Sequence, residues 1–258
     1  MTGGASGIGL ALGELLVGYG AQVTLVARRQ ELLDAAKAKI GEGAHTLSLD
    51  ISDAYKVKDS LRKRMAERPI DMLINNAGVA MPGRFIEMDA TEYRRQMDIN
   101  YFGAVNMCRE VVPHMTERGS GHITNVGSLL SVMGIYGYTA YAASKFALQG
   151  FSECLRAELA PHTVRLTMLL PPDTDTPQHA AEMEHLPEET KALAGSVKML
   201  APEKVARDCL EGMAAGRFEI IPGFDGRMTV VAQRWVPGIV RWWCDNSTKK
   251  VNAQRSAS

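Results

Sequence analysis

Tyr141 and Lys145 are the residues of this chain whose types and spacing offer the clearest chemistry. The string Tyr-Ala-Ala-Ser-Lys separates them by four positions, so a helix would carry both side chains on one face, one turn apart. The phenol can donate or accept a proton, and Ser128, 13 residues earlier, can donate a hydrogen bond to a carbonyl oxygen. The three residues are typical of acid–base chemistry at a ketone or an alcohol. Taken singly, they also fit a core tyrosine, a solvated lysine and a hydroxyl at a strand end.

A glycine-rich segment at the start of the chain, Thr-Gly-Gly-Ala-Ser-Gly-Ile-Gly over residues 2–9, precedes an apolar helical pattern. Glycines let the backbone turn tightly and approach a pyrophosphate, which then binds the free N–H groups of the helix. An ordinary glycine turn is the alternative, because such a loop normally follows a strand and only Met1 precedes it here. The residues expected to contact a dinucleotide are Gly3, Ser6, Gly7, Ile8 and Gly9.

Arg28 and Arg29 follow the next predicted strand, at the position that faces an adenosine ribose in dinucleotide-binding folds. A carboxylate there would bind the free 2′-hydroxyl of NAD, whereas a guanidinium can pair with the 2′-phosphate of NADP. A solvated helix start is the alternative, but arginine at a helix N-terminus opposes the helix dipole. The pair therefore favours NADP(H) as the cofactor.

Short β-branched runs alternate along the chain with longer helical patterns, which is typical of a parallel sheet covered by helices. The sequence therefore predicts an α/β fold: a doubly wound Rossmann-type parallel sheet, in a single NADP(H)-binding domain over residues 1–223. The predicted strands are Gln22–Ala27, His45–Leu49, Asp71–Asn75, His122–Val126, Val164–Leu170 and Phe218–Ile221. The predicted helices are Leu10–Tyr19, Glu31–Ile40, Ala54–Glu67, Thr91–Arg118, Tyr141–Ala160 and Pro202–Ala215.

The composition of the 258 residues excludes several classes of function. Lys and Arg (29) balance Asp and Glu (29), and a neutral chain is a poor nucleic-acid binder. We expect no membrane-spanning helix and no secretory signal, because no apolar run reaches about 18 residues and no basic, then apolar leader is present. The four cysteines are too widely spaced for a zinc motif or a disulfide framework. The sequence predicts a cytoplasmic protein with reduced thiols and no metal site.

Residues 174–200 interrupt the alternation of strands and helices. They lack a strand pattern, are rich in Ala, Met and Glu, and follow the predicted strand Val164–Leu170. Because ligands of such sheets bind beyond the carboxyl ends of the strands, this segment is expected to cover the binding edge. We expect a lid over the substrate, and the alternative is an ordinary helical insertion at the surface.

The sheet is expected to lack its first strand, which is normally central, because a single residue precedes the glycine-rich segment. Such a gap would leave backbone N–H and C=O groups of the two neighbouring strands without hydrogen-bond partners. The sequence thus predicts either about six further apolar residues encoded upstream or a product of low stability.

The glycine-rich segment, Asn75-Asn76-Ala77-Gly78, Ser128 and Tyr141-x-x-x-Lys145 occur in the order and spacing of the classical short-chain dehydrogenase/reductase family, which the chain resembles from Thr2 to about Gly223. The resemblance implies that Tyr141 is the general acid or base, with its pKa lowered by Lys145 and by the nicotinamide.

The same resemblance implies roles for the neighbouring residues. Lys145 would also bond the nicotinamide ribose, Ser128 would orient the substrate carbonyl, and Asn100 would hold a water that links Lys145 to solvent. Packing of the helices that hold Asn100 and Tyr141 would give a homodimer or homotetramer. The adenosine pocket would be lined by Asp50, Asn76, Ala77 and Gly78.

Two further strings are similar to those of 3-ketodihydrosphingosine reductases, a branch of that family. They are Pro-Pro-Asp-Thr-Asp-Thr-Pro over residues 171–177 and Thr-Ala-Tyr-Ala-Ala-Ser-Lys-Phe over residues 139–146. The resemblance implies cofactor contacts from Pro171, Thr174 and Thr176. It also implies NADPH-dependent reduction of a long-chain ketone, 3-ketodihydrosphingosine, in sphingolipid biosynthesis.

Other functions remain open at this point. Pro172 departs from the glycine usual in the wider family, which removes a backbone donor from the loop. One alternative is reduction or oxidation of another ketone or alcohol, such as a steroid, a small ketone or a β-keto compound. The other alternative is a non-catalytic scaffold that binds NADP(H). The presence of Ser128, Tyr141 and Lys145 together argues against it.

The segment 224–258 carries six basic and two acidic residues, a net charge of +4. Val231, Trp235, Ile239 and Trp242 recur at spacings that place them on one helical stripe, and Pro237 is expected to divide the stripe into two short helices. Tryptophan with basic residues on an amphipathic stretch is typical of peripheral membrane contact, here at the cytoplasmic face through residues 227–243. Packing onto the domain or onto another subunit is the alternative.

Overall fold

The strands form the parallel sheet that the sequence predicts, and the computed structural model describes residues 1–194 and 199–256. Every strand boundary lies within one residue of its predicted position. Because the sheet is parallel, ligand-binding residues are expected at the common edge where the strands end. The strands are β1 (Val23–Ala27), β2 (Ala44–Ser48), β3 (Met72–Asn75), β4 (Gly121–Val126), β5 (Val164–Leu169) and β6 (Glu219–Ile220).

Thr2 joins the two parts of the sheet, in which β1 pairs with β2 and the order of the remainder is β3-β4-β5-β6. It forms parallel bridges with Val26 of β1 and Asn75 of β3, and its N–H donates to the carbonyl O of Ile74 at 2.9 Å. The N–H of Val26 donates to the carbonyl O of Met1 at 2.8 Å. Met1 and Thr2 therefore occupy the place of the expected missing strand and connect its two neighbours.

Helices cover both faces of this sheet. They are α1 (Gly7–Gly18), α2 (Gln30–Ile40), α3 (Ala54–Glu67), α4 (Ala90–Met97), α5 (Gly103–Arg118), α6 (Thr139–Leu159), α7 (Pro177–Glu184), α8 (Glu188–Ala194), α9 (Pro202–Ala214), α10 (Phe224–Trp235) and α11 (Pro237–Ser256). On one face, Leu12 of α1 packs in a buried cluster with Val205 of α9. On the other, Val57 of α3 and Val111 of α5 belong to the largest cluster. The polar edge that holds the site is thereby supported by two apolar layers.

Short polar side chains begin several of these helices. Asp53 accepts a hydrogen bond from the N–H of Lys56 at 3.0 Å, and Asp89 accepts one from Thr91 at 2.7 Å. Each satisfies a backbone donor that the first turn of a helix leaves free. Pro202 begins α9, where its missing N–H costs nothing.

The helix predicted over Thr91–Arg118 is present from Ala90 to Arg118, but a π-helical turn at Asp98–Phe102, which was not predicted, divides it into α4 and α5. A π turn inserts one extra residue into the helical path and reorients the side chains around it. Asn100 lies in this turn and is buried. The turn thus presents the Asn100 side chain to the core beside α6.

The segment expected to form a lid contains α7 and α8, while its residues 195–198 lie outside the described residues. Two contacts fix α8 to the rest of the protein. Arg84 Nη2 lies 3.0 Å from Glu189 Oε1, and Thr190 Oγ1 donates to the carbonyl O of Tyr136 at 2.9 Å. Because the Glu189 side chain is buried, its ion pair with Arg84 is shielded from solvent.

Pro237 separates α10 from α11, as predicted, although α11 is a long helix rather than a short one. Residues 257–258 lie outside the described residues. α11 packs against α8, so the C-terminal segment contacts the segment that is expected to form a lid. Trp235, Ile239 and Trp242 nevertheless remain more than half exposed. Within residues 1–194 and 199–256, none of the helices combines the length and the apolar character needed to span a bilayer.

Candidate active site

A cavity of about 750 Å³ opens at the carboxyl ends of the strands, where the sequence places the ligand. The structure brings all the predicted site residues to its wall except Gly9 and Asn100, which lie behind it. The residues at the wall are Gly3, Ser6, Gly7, Ile8, Arg28, Arg29, Asp50, Asn76, Ala77, Gly78, Ser128, Tyr141, Lys145, Pro171, Thr174 and Thr176.

The glycine-rich segment turns sharply at this edge. Gly3 has φ +63° and Gly7 has φ +54°, left-handed conformations that glycine adopts without strain. A Cβ at Gly3 would lie 2.7 Å from Asn76 Nδ2, so a larger residue would not fit there. Gly9 packs against the carbonyl O of Gly3, where a Cβ would overlap that oxygen. Gly9 therefore shapes the loop from behind rather than lining the cavity.

Thr2 ties this loop to the end of β3. Its Oγ1 accepts hydrogen bonds from the N–H groups of Asn76 and Ala77, both at 3.0 Å. Asn76 Nδ2 donates in turn to the carbonyl O of Gly3 at 3.0 Å. The start of α1 is thereby held open toward the cavity, with free backbone donors suited to a phosphate.

Arg28 and Arg29 lie just after β1, exposed and at the cavity wall. Within the part of the chain that the structure describes, neither guanidinium has a carboxylate partner. Asp50 follows β2 at the same edge and accepts from the N–H and Oγ of Ser52, at 3.0 and 2.7 Å. The two guanidinium groups are thus available for an anionic ligand group such as a phosphate.

Ser128, Tyr141 and Lys145 meet in the cavity. The Ser128 side chain is close enough to the Tyr141 phenol to lower its pKa. Lys145 Nζ lies 5.6 Å from the centroid of the Tyr141 ring and donates to the carbonyl O of Val126 at 2.8 Å. Ser128 Oγ also accepts from the N–H of Leu130 at 3.1 Å, which fixes its orientation. A proton donor, a hydroxyl and a buried ammonium are therefore held together around one position.

Burial dominates the ionisation of Tyr141. Desolvation raises the pKa of Tyr141 well above its usual value, the charge of Glu182 raises it further, and the Ser128 side chain lowers it. Burial also lowers the pKa of Lys145 to about 8. The expected lowering of the Tyr141 pKa by Lys145 together with the nicotinamide stays a prediction. A phenol held in its neutral form is a proton donor.

Asn100 holds the wall of the cavity from behind. Its Oδ1 accepts from the N–H of Val79 at 2.8 Å, and its Nδ2 donates to the carbonyl O of Val79 at 2.9 Å and to Ser144 Oγ at 2.9 Å. These bonds connect the loop after β3 with α6. The predicted water link between Asn100 and Lys145 stays a prediction.

The segment after β5 closes another side of the cavity. Thr174 is buried and its Oγ1 donates to the carbonyl O of Pro172 at 2.8 Å. Thr176 begins α7, accepting from the N–H of His179 at 3.1 Å, and its methyl group lies where a Cβ on Gly7 would reach. Thr176 therefore packs over the glycine-rich loop, next to the expected phosphate position.

Comparison with known sequences identifies the protein family. The family model described as short chain dehydrogenase matches residues 1–187. The chain belongs to the short-chain dehydrogenase family. It is accordingly an oxidoreductase, and the family resemblance predicted from the sequence is confirmed.

Individual relatives of this short-chain dehydrogenase cover most of its length. It is 37% identical over 237 residues to the 3-ketodihydrosphingosine reductase of Bos taurus, an alignment that spans 88% of this chain and 71% of the relative. It is 38% identical over 240 residues to a 3-dehydrosphinganine reductase of Arabidopsis thaliana, with 90% and 71% covered. A short chain dehydrogenase from Burkholderia cenocepacia J2315, crystallised in complex with NADP, has a TM-score of 0.80 at 27% identity, with 94% of each chain covered.

Tyr138, Asp173 and Glu182 are among the residues at the wall of this short-chain dehydrogenase that sequence reasoning missed. Tyr138 OH donates to Glu182 Oε2 at 3.2 Å, and its ring centroid lies 5.8 Å from that of Tyr141. Asp173 stands inside the Pro171–Pro177 string, but nothing in the sequence indicates that its carboxyl group faces the cavity. The position of Glu182 depends on how α7 packs, which the helical pattern alone does not reveal.

Proposed function

We propose that this chain reduces a long-chain ketone with NADPH and that 3-ketodihydrosphingosine is its substrate. The observation that carries the proposal is the identity of 37% and 38%, over most of the chain, with reductases named for that ketone in an animal and a plant. The arrangement of Ser128, Tyr141 and Lys145 supports it, because these groups can protonate and polarise a carbonyl oxygen.

The residues of the cavity fit a phosphorylated dinucleotide. The loop at Gly3 leaves room for close approach because a Cβ there would strike Asn76, and the start of α1 offers free N–H groups. Arg28 and Arg29, which have no ion-pair partner in the described residues, would hold the 2′-phosphate that distinguishes NADPH from NADH. When bound there, NADPH would supply the hydride that the carbonyl carbon needs. Lys145 would hold the ribose beside Tyr141.

The proton needed at the carbonyl oxygen comes from Tyr141 in this proposal. Its pKa is raised by burial, so the phenol is neutral and ready to donate when the oxygen acquires negative charge. Ser128 stabilises the same oxygen by a hydrogen bond, and the ammonium of Lys145 helps the phenol to be reprotonated. Asn100 is a positioning residue in this proposal, because its hydrogen bonds hold Ser144 and Val79 in place.

An apolar chain fits the remainder of the cavity. Met133, Ile135, Leu186, Ile239 and Trp242 line it, and they come from the segment after β4, the lid and α11. Burying an alkyl chain there would gain about 0.8 kcal/mol for each CH₂ group removed from water. Residues 174–200 would act as the lid, and the C-terminal helices would complete the wall for the chain.

Peripheral contact with a membrane at its cytoplasmic face is part of the proposal. Trp235 is 82% exposed and Ile239 and Trp242 are each 63% exposed, on two helices that also carry Arg227, Arg234 and Arg241. An amphipathic surface of this kind suits the boundary between lipid headgroups and acyl chains. It would place the apolar part of the cavity next to a lipid source of the ketone.

A homodimer or homotetramer formed through α5 and α6 is also proposed. Phe102 next to α5 and Phe146 of α6 are 46% and 45% exposed, an apolar pair at the surface of these neighbouring elements. Light scattering measures the mass directly, and a monomer unaffected by concentration would contradict this part of the proposal.

The test of function follows the absorbance of NADPH in the presence of 3-ketodihydrosphingosine, a short ketone and a steroid ketone. We expect turnover of the long-chain ketone and its loss in Tyr141→Phe, with NADPH binding retained. Turnover of the short ketone without the long one would contradict the substrate. NADPH binding without turnover of any ketone, unchanged by Tyr141→Phe, would instead support a binding scaffold.

A further inference from the structure

The substrate side of the cavity contains two carboxyl groups beside the reacting position. Asp173 follows β5 and Glu182 lies on α7, and both line the cavity with Tyr138 and Tyr141. Glu182 is connected to the site by direct contacts: Tyr138 OH donates to its Oε2 at 3.2 Å, and the Tyr138 and Tyr141 rings meet edge to face with centroids 5.8 Å apart. A carboxylate therefore stands one aromatic ring away from the proton donor.

The cations of the cavity lie elsewhere. Among the described residues at its wall, the lysine and arginine side chains are Arg28 and Arg29, at the expected adenosine position, and Lys145, whose Nζ is bonded to the carbonyl O of Val126. His179 lies near the two carboxyl groups and acts on the pKa of each. The part of the wall around Tyr138 therefore carries negative charge without a lysine or arginine to balance it.

The negative charge of Asp173 and Glu182 is energetically unfavourable in the cavity unless a bound ligand carries a positive group. Glu182 and Asp173 are half-buried, and burial raises the pKa of each carboxyl group. Carboxylates in partly desolvated surroundings are unfavourable when unpaired and favourable when they meet a hydrogen-bonded cation. Glu182 accepts hydrogen bonds from the neutral groups Gln178 Nε2 and Tyr138 OH, at 2.9 and 3.2 Å, so a neutral ketone would add no cation beside it and an anionic acyl carrier would be repelled. An ammonium group would complete the site.

We propose that Glu182, with Asp173 beside it, binds the ammonium group of an amino ketone whose amino group is on the carbon next to the reacting carbonyl. The inference rests on the proposed function and deepens it, because it makes the amino group, and not the chain alone, a requirement for recognition. The carbonyl oxygen bonds to Tyr141 and Ser128 while the adjacent ammonium turns toward Glu182. The two contacts fix which face of the carbonyl meets the hydride.

Glu182→Gln tests this role by removing the charge while keeping the size of the side chain. Its single oxygen can replace the acceptor of Tyr138 OH or of Gln178 Nε2, so one of these two contacts is kept. Glu184→Gln is the matched control, because Glu184 lies on the same helix, is exposed and is not at the cavity wall. Each variant is assayed with 3-ketodihydrosphingosine and with the same long-chain ketone lacking the amino group.

We expect Glu182→Gln to raise KM for the amino ketone about 10- to 100-fold, the range for a hydrogen bond to a charged group. The KM for the deamino ketone should not rise, and Glu184→Gln should match wild type with both. Glu182→Gln should also bind the corresponding long-chain amino alcohol more weakly. This binding can be measured through the fluorescence of Trp242 and Trp243, which lie at the cavity wall.

Three other results are decisive. Equal losses of kcat/KM for both ketones in Glu182→Gln would show a merely structural role and overturn the inference. Wild-type enzyme that reduces the deamino ketone as efficiently as the amino ketone would overturn it while leaving the long-chain reductase function intact. Wild-type enzyme that reduces neither with NADPH would overturn the proposed function and the inference with it.

Discussion

Asn100 Nδ2 donates a hydrogen bond to Ser144 Oγ at 2.9 Å, and Ser144 Oγ donates to the carbonyl O of Tyr141 at 2.7 Å. This short chain of bonds connects the π turn with the first turn of α6. Since Asn100 also bonds both backbone groups of Val79, one buried side chain holds two walls of the cavity.

Asn100→Ala should lower both stability and turnover. The change leaves the N–H and carbonyl O of Val79 without their partner and removes one donor to Ser144 Oγ, which keeps its bond to the carbonyl O of Tyr141, so we expect the free energy of unfolding to fall by on the order of 3 kcal/mol. Denaturant unfolding measures the loss, and kcat should fall while the KM for NADPH changes little. Asn106→Ala is the control, because the Asn106 side chain is not at the cavity wall and donates to the carbonyl O of Ile51 at 2.9 Å, at the expected adenosine end of the cavity and not beside Tyr141. If both variants behaved alike, the positioning role of Asn100 would be refuted.

Arg28→Ala should weaken NADPH binding far more than NADH binding. Loss of a charge-assisted bond to the 2′-phosphate predicts about a 10- to 100-fold higher Kd for NADPH, while NADH lacks that group. Titration by calorimetry gives both constants. Arg68→Ala serves as the control, since Arg68 is exposed at the end of α3 and away from the cavity wall. Equal losses for the two cofactors would refute the 2′-phosphate assignment.

Gly9→Ala should disrupt the phosphate loop, because its new Cβ would overlap the carbonyl O of Gly3 and press on Asn76. Overpacking of this kind costs about 1–3 kcal/mol, and we expect NADPH binding to fall by tenfold or more. Gly18→Ala in the same helix adds a methyl group with nothing within 4 Å. It should leave binding unchanged and raise stability slightly, by about 0.5–1 kcal/mol. Normal NADPH binding by Gly9→Ala would show that the loop tolerates the side chain.

Lys145 should make stability depend on pH in a defined window. Burial lowers its pKa from the usual 10.5 to about 8, so between these values the unfolded chain binds more protons than the folded one. The free energy of unfolding of wild type, relative to Lys145→Met, should therefore rise from pH 8 to 10.5 by on the order of 3 kcal/mol. Urea unfolding at several pH values measures the difference. Lys58→Met changes an exposed lysine on α3 and is the control: the difference in free energy of unfolding between wild type and this variant should not change with pH. If the difference between wild type and Lys145→Met were also constant, the lowered pKa of Lys145 would be contradicted.

Membrane contact should depend on the exposed face of α10. The double variant Val231→Ser and Trp235→Ser removes two apolar side chains that are 47% and 82% exposed and do not line the cavity. We expect reduced co-sedimentation with anionic phosphatidylserine vesicles and normal turnover of a short, water-soluble amino ketone. Tyr55→Ser, which changes an 80% exposed residue on α3, should bind vesicles like wild type. If the double variant co-sedimented with the vesicles as wild type does, this face of α10 would be excluded as the membrane-binding surface.

The strands and the motif-bearing loops were predictable because their signals are local. Runs such as Met72–Asn75 are apolar over a strand length and end in polar residues, which fixes both the element and the edge where the side chains meet. The spacing of Tyr141 and Lys145 likewise needed only the period of a helix. Their pKa values could not be inferred in this way, because burial depends on the elements packed around them.

The π turn and the carboxyl groups of the cavity were not predictable, since both depend on packing between distant elements. The sequence pattern over Thr91–Arg118 continues a helical period without interruption, so it gives no sign of the π turn. Asn100, which lies in that turn, bonds Val79 and Ser144, and both are distant from it in the sequence. Glu182 falls in an ordinary helical pattern, and its contact with Tyr138 spans 44 positions in the sequence.

α11 packs against α8, and two of its residues, Ile239 and Trp242, line the cavity. A ligand that binds better when α11 is packed on α8 would stabilise that packing, and by reciprocity a surface that binds α11 in a displaced position would weaken ligand binding by the same factor.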